Sequence, residues 1–218
     1  DNDALHRACA NGHLPVAQWL VDAFYLTVMD VRAGRNAALR DVCHHGHLHV
    51  AQWLVKTFSL TTDADIRDIR FGVLPCACSA GYWHIVTWLI ETFHLTDADV
   101  FYDTDMYHCS ALSCAANEGH WDVVKRLVSM FPQVTVNICP RITHLLSFSI
   151  LPLACGKHGR LDIVTWLVET FHLKKSSTSD HALWNACHYG HLDIAQWLAG
   201  FLALTKQDVD RKSTRLNS

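Results

Sequence analysis

Histidine and cysteine are the residues of this chain whose chemistry could build a site. The sequence holds 16 His and 9 Cys among 218 residues. They are densest where His44, His45, His47 and His49 follow Cys43. Imidazole and thiolate are common zinc ligands, and histidine is also the side chain that changes charge between pH 5 and 8. The tract therefore raises two hypotheses, a His/Cys-rich metal-binding module and a pH-sensing module.

A repeated unit surrounds this tract and changes how its residues are interpreted. The stretch 46–54, Gly-His-Leu-His-Val-Ala-Gln-Trp-Leu, returns almost unchanged at 12–20 and 190–198, and three looser copies lie between them. The six anchor glycines are separated by 31 to 40 residues, a period typical of solenoids. They are Gly12, Gly46, Gly81, Gly119, Gly159 and Gly190. Because His47 recurs with the repeat, we interpret it as architecture and predict neither a metal site nor a catalytic residue.

Other chemistries find little support in the sequence. It contains no glycine-rich phosphate loop and no His-Glu-x-x-His zinc motif, so we predict no enzyme activity and no cofactor. A net charge of −3 offers no basic field for a nucleic acid backbone. No apolar run is long enough for a membrane helix. Five recurrent tryptophans could stack on single-stranded bases, but their helical register favours packing. They are Trp19, Trp53, Trp88, Trp166 and Trp197.

Each repeat predicts two helices and a capped tail. In the first element, Leu5, Ala8 and Cys9 form a narrow apolar stripe at helical spacing, and Gly12 follows where the chain needs a left-handed backbone. The second element, from His13 to Phe24 in the first copy, carries apolar residues at the same spacing. The third element reads Phe-x-Leu-Thr-x-x-Asp, and Thr-x-x-Asp resembles a capping box, so we expect a short helix after Thr27, Thr62, Thr96 and Thr205.

Four cysteines share one position, three residues before their anchor glycines. A recurrent position beside alanine indicates a small buried hydrophobe rather than a disulfide framework. Unpaired cysteines favour a reducing compartment, so we expect a cytoplasmic, intracellular protein. These cysteines are Cys9, Cys43, Cys78 and Cys187.

Taken together, the Ala-Leu-x-x-Ala-Cys-x-x-Gly-His-Leu-x-Val-Ala-x-Trp-Leu pattern resembles the ankyrin repeat, and is closest to the divergent repeats of large DNA viruses and protists. The resemblance implies an all-α solenoid of about six helix-turn-helix repeats over residues 1–210, in the host cell if the source is viral. The usual Thr-Pro-Leu-His opening is missing, and the capped tail replaces the β-hairpin finger, so we expect weak or absent fingers. In such repeats the histidine after the glycine makes backbone hydrogen bonds that order the turns.

The resemblance also implies where a partner would bind. In ankyrin arrays the two residues before each anchor glycine face a concave groove, and here these residues vary while the scaffold residues do not. We therefore expect a non-catalytic scaffold that binds another protein, acidic or polar in character, through this row. The row comprises Ala10, Asn11, His44, His45, Ser79, Ala80, Asn117, Glu118, Lys157, His158, His188 and Tyr189.

The least regular parts of the array are its junction and its ends. The connection 131–150 carries Pro132 and Pro140, and one extra residue stands before Gly159, which indicates either a decayed junction or a bend that shapes a binding site. Residues 211–218 break the pattern, resemble a translated vector scar, and are expected to be a non-native or disordered tail. The opening reads as the middle of a longer array. We expect a monomer apart from association or fraying at exposed ends, because repeats bury their cores only against neighbours.

Overall fold

The computed structural model describes residues 3–68, 72–101, 110–136, 146, 150–173 and 180–203. The chain divides into two units, Asp1–Phe131 and Pro132–Ser218, each of which is described by itself. All regular elements of the described residues are helical, and none of these residues forms a strand. The all-α prediction is confirmed. The extent of one array over 1–210 stays a prediction, and the tail 211–218 and most of the connection 131–150 lie outside the described residues.

Each repeat contains, in chain order, a short inner helix, a longer outer helix and a capped tail. In the first unit they are α1 (Asp3–Ala10), α2 (Leu14–Phe24), α3 (Val28–His44), α4 (Leu48–Phe58), α5 (Asp63–Asp68), α6 (Leu74–Ser79), α7 (Trp83–Thr92), α8 (Asp97–Phe101), α9 (Ala111–Asn117) and α10 (Trp121–Met130). In the second they are α11 (Gln133–Val136), α12 (Leu151–Cys155), α13 (Leu161–Thr170), α14 (Asp180–His188) and α15 (Leu192–Leu202). Helix α3 is interrupted at 33–36.

The inner helices form the spine of each unit. In the first unit α1 packs on α3, α3 on α6 and α6 on α9, and each inner helix also packs on the outer helix that follows it. In the second unit α12 packs on α14 in the same way. The core repeats a leucine from each layer, such as Leu39 of α3 and Leu54 of α4, both fully buried. Fully burying one such side chain contributes about 1.5–3 kcal/mol.

The anchor glycines end the inner helices as predicted. All six have positive φ, between +53° at Gly159 and +87° at Gly46. In the first turn the N–H of Gly12 donates to the Cys9 carbonyl and the N–H of His13 donates to the Ala8 carbonyl, which closes the helix. A residue with a Cβ would strain this left-handed backbone, so glycine is required on conformational grounds.

The threonine caps at Thr27, Thr62 and Thr96 are also confirmed, and the one predicted at Thr205 lies outside the described residues. At Thr27 the backbone N–H donates to Asp30 Oδ2 at 2.7 Å and the hydroxyl donates to the same oxygen at 2.8 Å. The same pair of bonds joins Thr62 to Asp65 and Thr96 to Asp99. Each cap starts a short helix where a typical ankyrin repeat has its β-hairpin finger. This local hydrogen bonding explains why the tails are helical.

The recurrent cysteine position is buried in three of the four predicted cases. Cys9, Cys43 and Cys78 are fully buried, and burial raises their pKa values, to about 12 for Cys9. Such thiols stay protonated at neutral pH and act as small hydrophobes. The prediction is wrong for Cys187, which is exposed. It lies in the last inner helix, where no described helix packs beyond α14 in the way that α14 packs on α12.

Candidate partner-binding surface

The predicted row lies at the ends of the inner helices, and none of its twelve residues is buried. In the first unit His44, His45, Asn117 and Glu118 are exposed. In the second unit Lys157, His188 and Tyr189 are exposed. The residue that directly precedes the row is buried in the second repeat, where Cys43 is followed by His44. Throughout the first unit a buried residue at this position, Cys9, Cys43, Cys78 or Ala116, is followed by two residues that are not buried.

The side chains of several row residues form hydrogen bonds within their own turn. The His45 Nδ1 lies 2.7 Å from the Asp41 carbonyl oxygen, and the Ser79 hydroxyl donates to the Cys76 carbonyl at 2.9 Å. The Asn117 side-chain amide donates to Glu118 Oε1 at 2.8 Å. These bonds hold side chains at the helix ends in one orientation, which lowers the entropy cost of ordering them on a partner.

An aromatic group extends the row in the second unit. On α14 the rings of Trp184 and His188 stack with centroids 4.7 Å apart and planes 8° apart. The Tyr189 ring meets His188 edge to face at 5.0 Å. Exposed tryptophan and tyrosine supply large contact areas at low entropy cost and often anchor protein interfaces. Trp184 was not predicted as a site residue, although its i, i+4 spacing to His188 places both on one helical face.

The turns that carry the row are fixed by rings from the following repeat. A Cβ at Gly12 would lie 2.6 Å from His47 Nδ1, one at Gly46 would lie 2.8 Å from Tyr82 Cζ, and one at Gly81 would lie 2.5 Å from His120 Nδ1. In the second unit His191 covers Gly159 in the same way. Glycine is therefore needed at these turns for two reasons. Its backbone has positive φ, and the absence of a Cβ leaves room for a ring.

These rings also make the backbone hydrogen bonds that the resemblance implied. His191 Nε2 lies 2.8 Å from the Gly156 carbonyl oxygen, and His47 bonds the backbone of Ala10. Burial lowers the pKa of His47, and the nearby histidines His49 and His45 lower it further. His47 is thus a neutral structural residue that joins two repeats.

The dense histidine tract does not converge on a metal. Cys43 is buried with a raised pKa, His47 is packed on a glycine turn, and His44 and His45 are exposed with ring centroids 5.3 Å apart. Among the described residues there is no group of three or more His, Cys, Asp or Glu side chains that could hold a metal ion. The metal-binding alternative has no support from this geometry.

A partly buried ion pair between the first two tails was missed by the sequence analysis. Arg32 donates to both carboxylate oxygens of Asp65, from Nε at 2.8 Å and from Nη2 at 2.7 Å, and Asp65 is almost fully buried. Asn36 donates to Asp68 Oδ2 at 3.2 Å. Burial alone raises the pKa of Asp65, but hydrogen bonds from Arg32, Thr62 and Asn36 outweigh it, and the net pKa is lowered. The Asp65 carboxylate thus caps its own helix and also binds Arg32 of the preceding repeat.

Two irregular positions of the repeat are accommodated locally. Arg126, which replaces the recurrent tryptophan, lies over the Trp83 ring with its guanidinium carbon 5.5 Å from the centroid. The extra residue before Gly159 is absorbed by ending α12 at Cys155 and turning at Gly156. The turn then closes with the N–H of Arg160 donating to the Ala154 carbonyl, and Gly159 keeps its positive φ.

No helix within the described ranges is long and apolar enough to cross a membrane. Comparison with known proteins gives no match to a protein-family model and no match among curated sequences. Among solved structures the chain is similar to the crystal structure of the human ASB11 ankyrin repeat domain, with a TM-score of 0.60 and 23% sequence identity. The match covers 93% of this chain and 85% of the ASB11 chain. At this identity the similarity establishes the fold alone, and the chain has the fold of an ankyrin repeat solenoid, with capped helical tails in place of fingers.

Proposed function

We propose that this chain is a non-catalytic scaffold that binds a partner protein through the row of residues before the anchor glycines. The supporting observation is the contrast along the inner helix ends, where the packed positions keep small residues and the row varies freely without being buried. A repeat fold of this kind generally serves as an interaction scaffold. The variation of the row would then define the specificity for one partner.

The partner that fits this surface is acidic or polar. The row offers Lys157 and four histidines as donors and carries one acidic residue, Glu118, which is bonded to Asn117. The aromatic group around His188 would add an apolar contact at one end. We further propose that the encounter takes place in the cytoplasm, in keeping with the free thiols of the cysteines that the structure describes.

The proposal is tested by affinity capture and mass spectrometry from lysate with residues 1–210 as bait. The row variant carries His44→Ala, His45→Ala and Tyr189→Ala. The matched control carries Gln52→Ala, Glu91→Ala and Gln196→Ala, three exposed residues of the outer helices. We expect one partner to be retained by wild type and by the control and to be lost by the folded row variant. Equal capture by all three proteins would contradict the assignment of the row.

A further inference from the structure

The outer helices of the first unit carry one aromatic pair at the same place in successive repeats. Trp53 meets Phe58 edge to face, with ring centroids 6.1 Å apart and planes at 81°. Trp88 meets Phe93 in the same way, with centroids 6.2 Å apart and planes at 78°. Both tryptophans have a described repeat on either side and are half-buried in its presence. The repeated contact gives both indole rings the same setting on their helices.

The indole N–H groups of Trp53 and Trp88 are unused donors. Neither N–H donates to another described residue, and neither is buried without a partner, so both reach the solvent. A tryptophan whose ring packs on the protein while its N–H stays in water is typical of contact surfaces. Each of these two repeats therefore offers an apolar ring together with one hydrogen-bond donor.

The fourth repeat carries a cation at the equivalent place. Arg126 is exposed, lies over the Trp83 ring and pairs with no carboxylate of the described residues. It gives this surface a local positive charge. Lys56 and Glu91, exposed on the two preceding outer helices, have opposite charges and form no basic track for a nucleic acid backbone.

The spacing of these residues matches a particular peptide conformation. Trp53, Trp88 and Arg126 each stand seven residues after an anchor glycine, and we call them the outer strip. Because the inner helices pack directly on one another, successive repeats are about 8–10 Å apart. A polyproline II helix advances by about 9.3 Å in each turn of three residues, and its carbonyls form no internal hydrogen bonds. One turn of such a helix would therefore face each repeat.

We propose that the outer strip binds a proline-rich segment in the polyproline II conformation. One proline packs on Trp53 and a second, three residues along, packs on Trp88, and each indole N–H donates to a carbonyl of the segment. An acidic residue a further three positions along pairs with Arg126. Aromatic surfaces recognise this helix in the same manner, because it is already ordered before it binds. The outer strip is separate from the row, so the inference does not rest on the proposed function.

Fluorescence anisotropy on residues 1–218 tests the outer strip with a labelled oligoproline peptide that ends in glutamate. A second peptide ends in lysine, a third replaces the prolines by glycine and serine, and labelled oligothymidylate is the nucleic acid probe. Trp53→Phe with Trp88→Phe keeps the rings and removes the donors, whereas Arg126→Glu reverses the charge. The control, Lys157→Glu, makes the same change of charge at an exposed residue of the row. Circular dichroism verifies that every variant is folded.

We expect wild type and the control to bind the glutamate peptide equally well. The double tryptophan variant should bind it about tenfold more weakly, because two hydrogen bonds are lost. Arg126→Glu should weaken binding of this peptide about fivefold and should bind the lysine peptide more tightly than the glutamate peptide.

Three results would overturn the proposal at the level of wild type: no binding of oligoproline, equal binding of the glycine–serine peptide, or tighter binding of oligothymidylate. A double tryptophan variant that binds oligoproline like wild type would also overturn it.

Discussion

Two stretches of nearly identical sequence differ in how deeply their side chains are buried. Residues 12–20 and 46–54 differ only at Pro15 and His49. Yet Val50 is fully buried and Val16 is about half exposed, and Leu54 is fully buried while Leu20 is not. The helices themselves are the same, and both end in a left-handed residue. The difference arises from the neighbours, so a residue's contribution to stability here depends on the position of its repeat more than on the repeat's sequence.

The largest effect expected from this comparison is in the leucine layer. Leu54→Ala should lower the free energy of unfolding by about 3.5 kcal/mol, because it leaves a cavity in a closely packed core. Leu20→Ala should cost about 1 kcal/mol, since that side chain is only partly buried. Urea unfolding followed by circular dichroism measures both in the same unit. Equal costs would show that packing is not set by the neighbouring repeat.

The two anchor glycines of the second unit, Gly159 and Gly190, provide a second comparison between a covered and an uncovered position. Gly159→Ala should cost about 2.5 kcal/mol, because the left-handed backbone is strained and the new Cβ meets the His191 ring. Gly190→Ala should cost about 1 kcal/mol, since only the backbone term applies.

Gly200 supplies the control for this pair. It lies inside α15, and no described atom is within 4 Å of its ideal Cβ position, so Gly200→Ala should stabilise by about 1 kcal/mol. Thermal unfolding of the three variants tests the order. If Gly159→Ala and Gly190→Ala lower the stability equally, the contact between the new Cβ and the His191 ring has no energetic effect.

The two threonine caps test the partly buried ion pair. Thr62→Ala should cost about 1.5 kcal/mol, because Asp65 is buried and loses the hydroxyl donor that helps to keep it ionised. Thr27→Ala should cost about 0.5 kcal/mol, since its hydrogen bonds to Asp30 are exposed. Denaturant titrations of both variants check the difference, and a larger loss at Thr27 would rule out a role for burial.

The smallest effect expected is a pH dependence. The pKa of His47 is lowered by burial in the folded state, so the unfolded state binds more protons and wild-type stability falls as the pH drops below about 6.5. His47→Tyr keeps a ring over Gly12, as Tyr82 does over Gly46, but cannot be protonated. Stability curves from pH 8 to pH 5 should therefore be shallower for the variant. Parallel curves would exclude His47 as a contributor.

The sequence predicts what is local and periodic here. The glycine turns and the threonine caps depend on residues within one turn of helix, and each recurs often enough to be recognised. The Arg32–Asp65 pair joins residues 33 positions apart, so no signal within one turn of helix marks it. In the sequence the pair is marked by Arg32, which stands two residues after the capping Asp30 and one repeat before the capping Asp65. Exposure of Cys187 was missed because the residue is regular in sequence and only its neighbour differs.

The rings over Gly12, Gly46 and Gly81 bear on how the first unit can change its length. Because the ring belongs to the repeat after the glycine, the packing unit straddles the boundary between two sequence units. Removing residues 13–46 would join Gly12 to His47, so the Tyr82 ring that now covers Gly46 would then cover Gly12. The same holds for a cut at any other phase of the repeat. Unequal recombination within the gene could thus shorten or lengthen the first unit without needing a precise breakpoint.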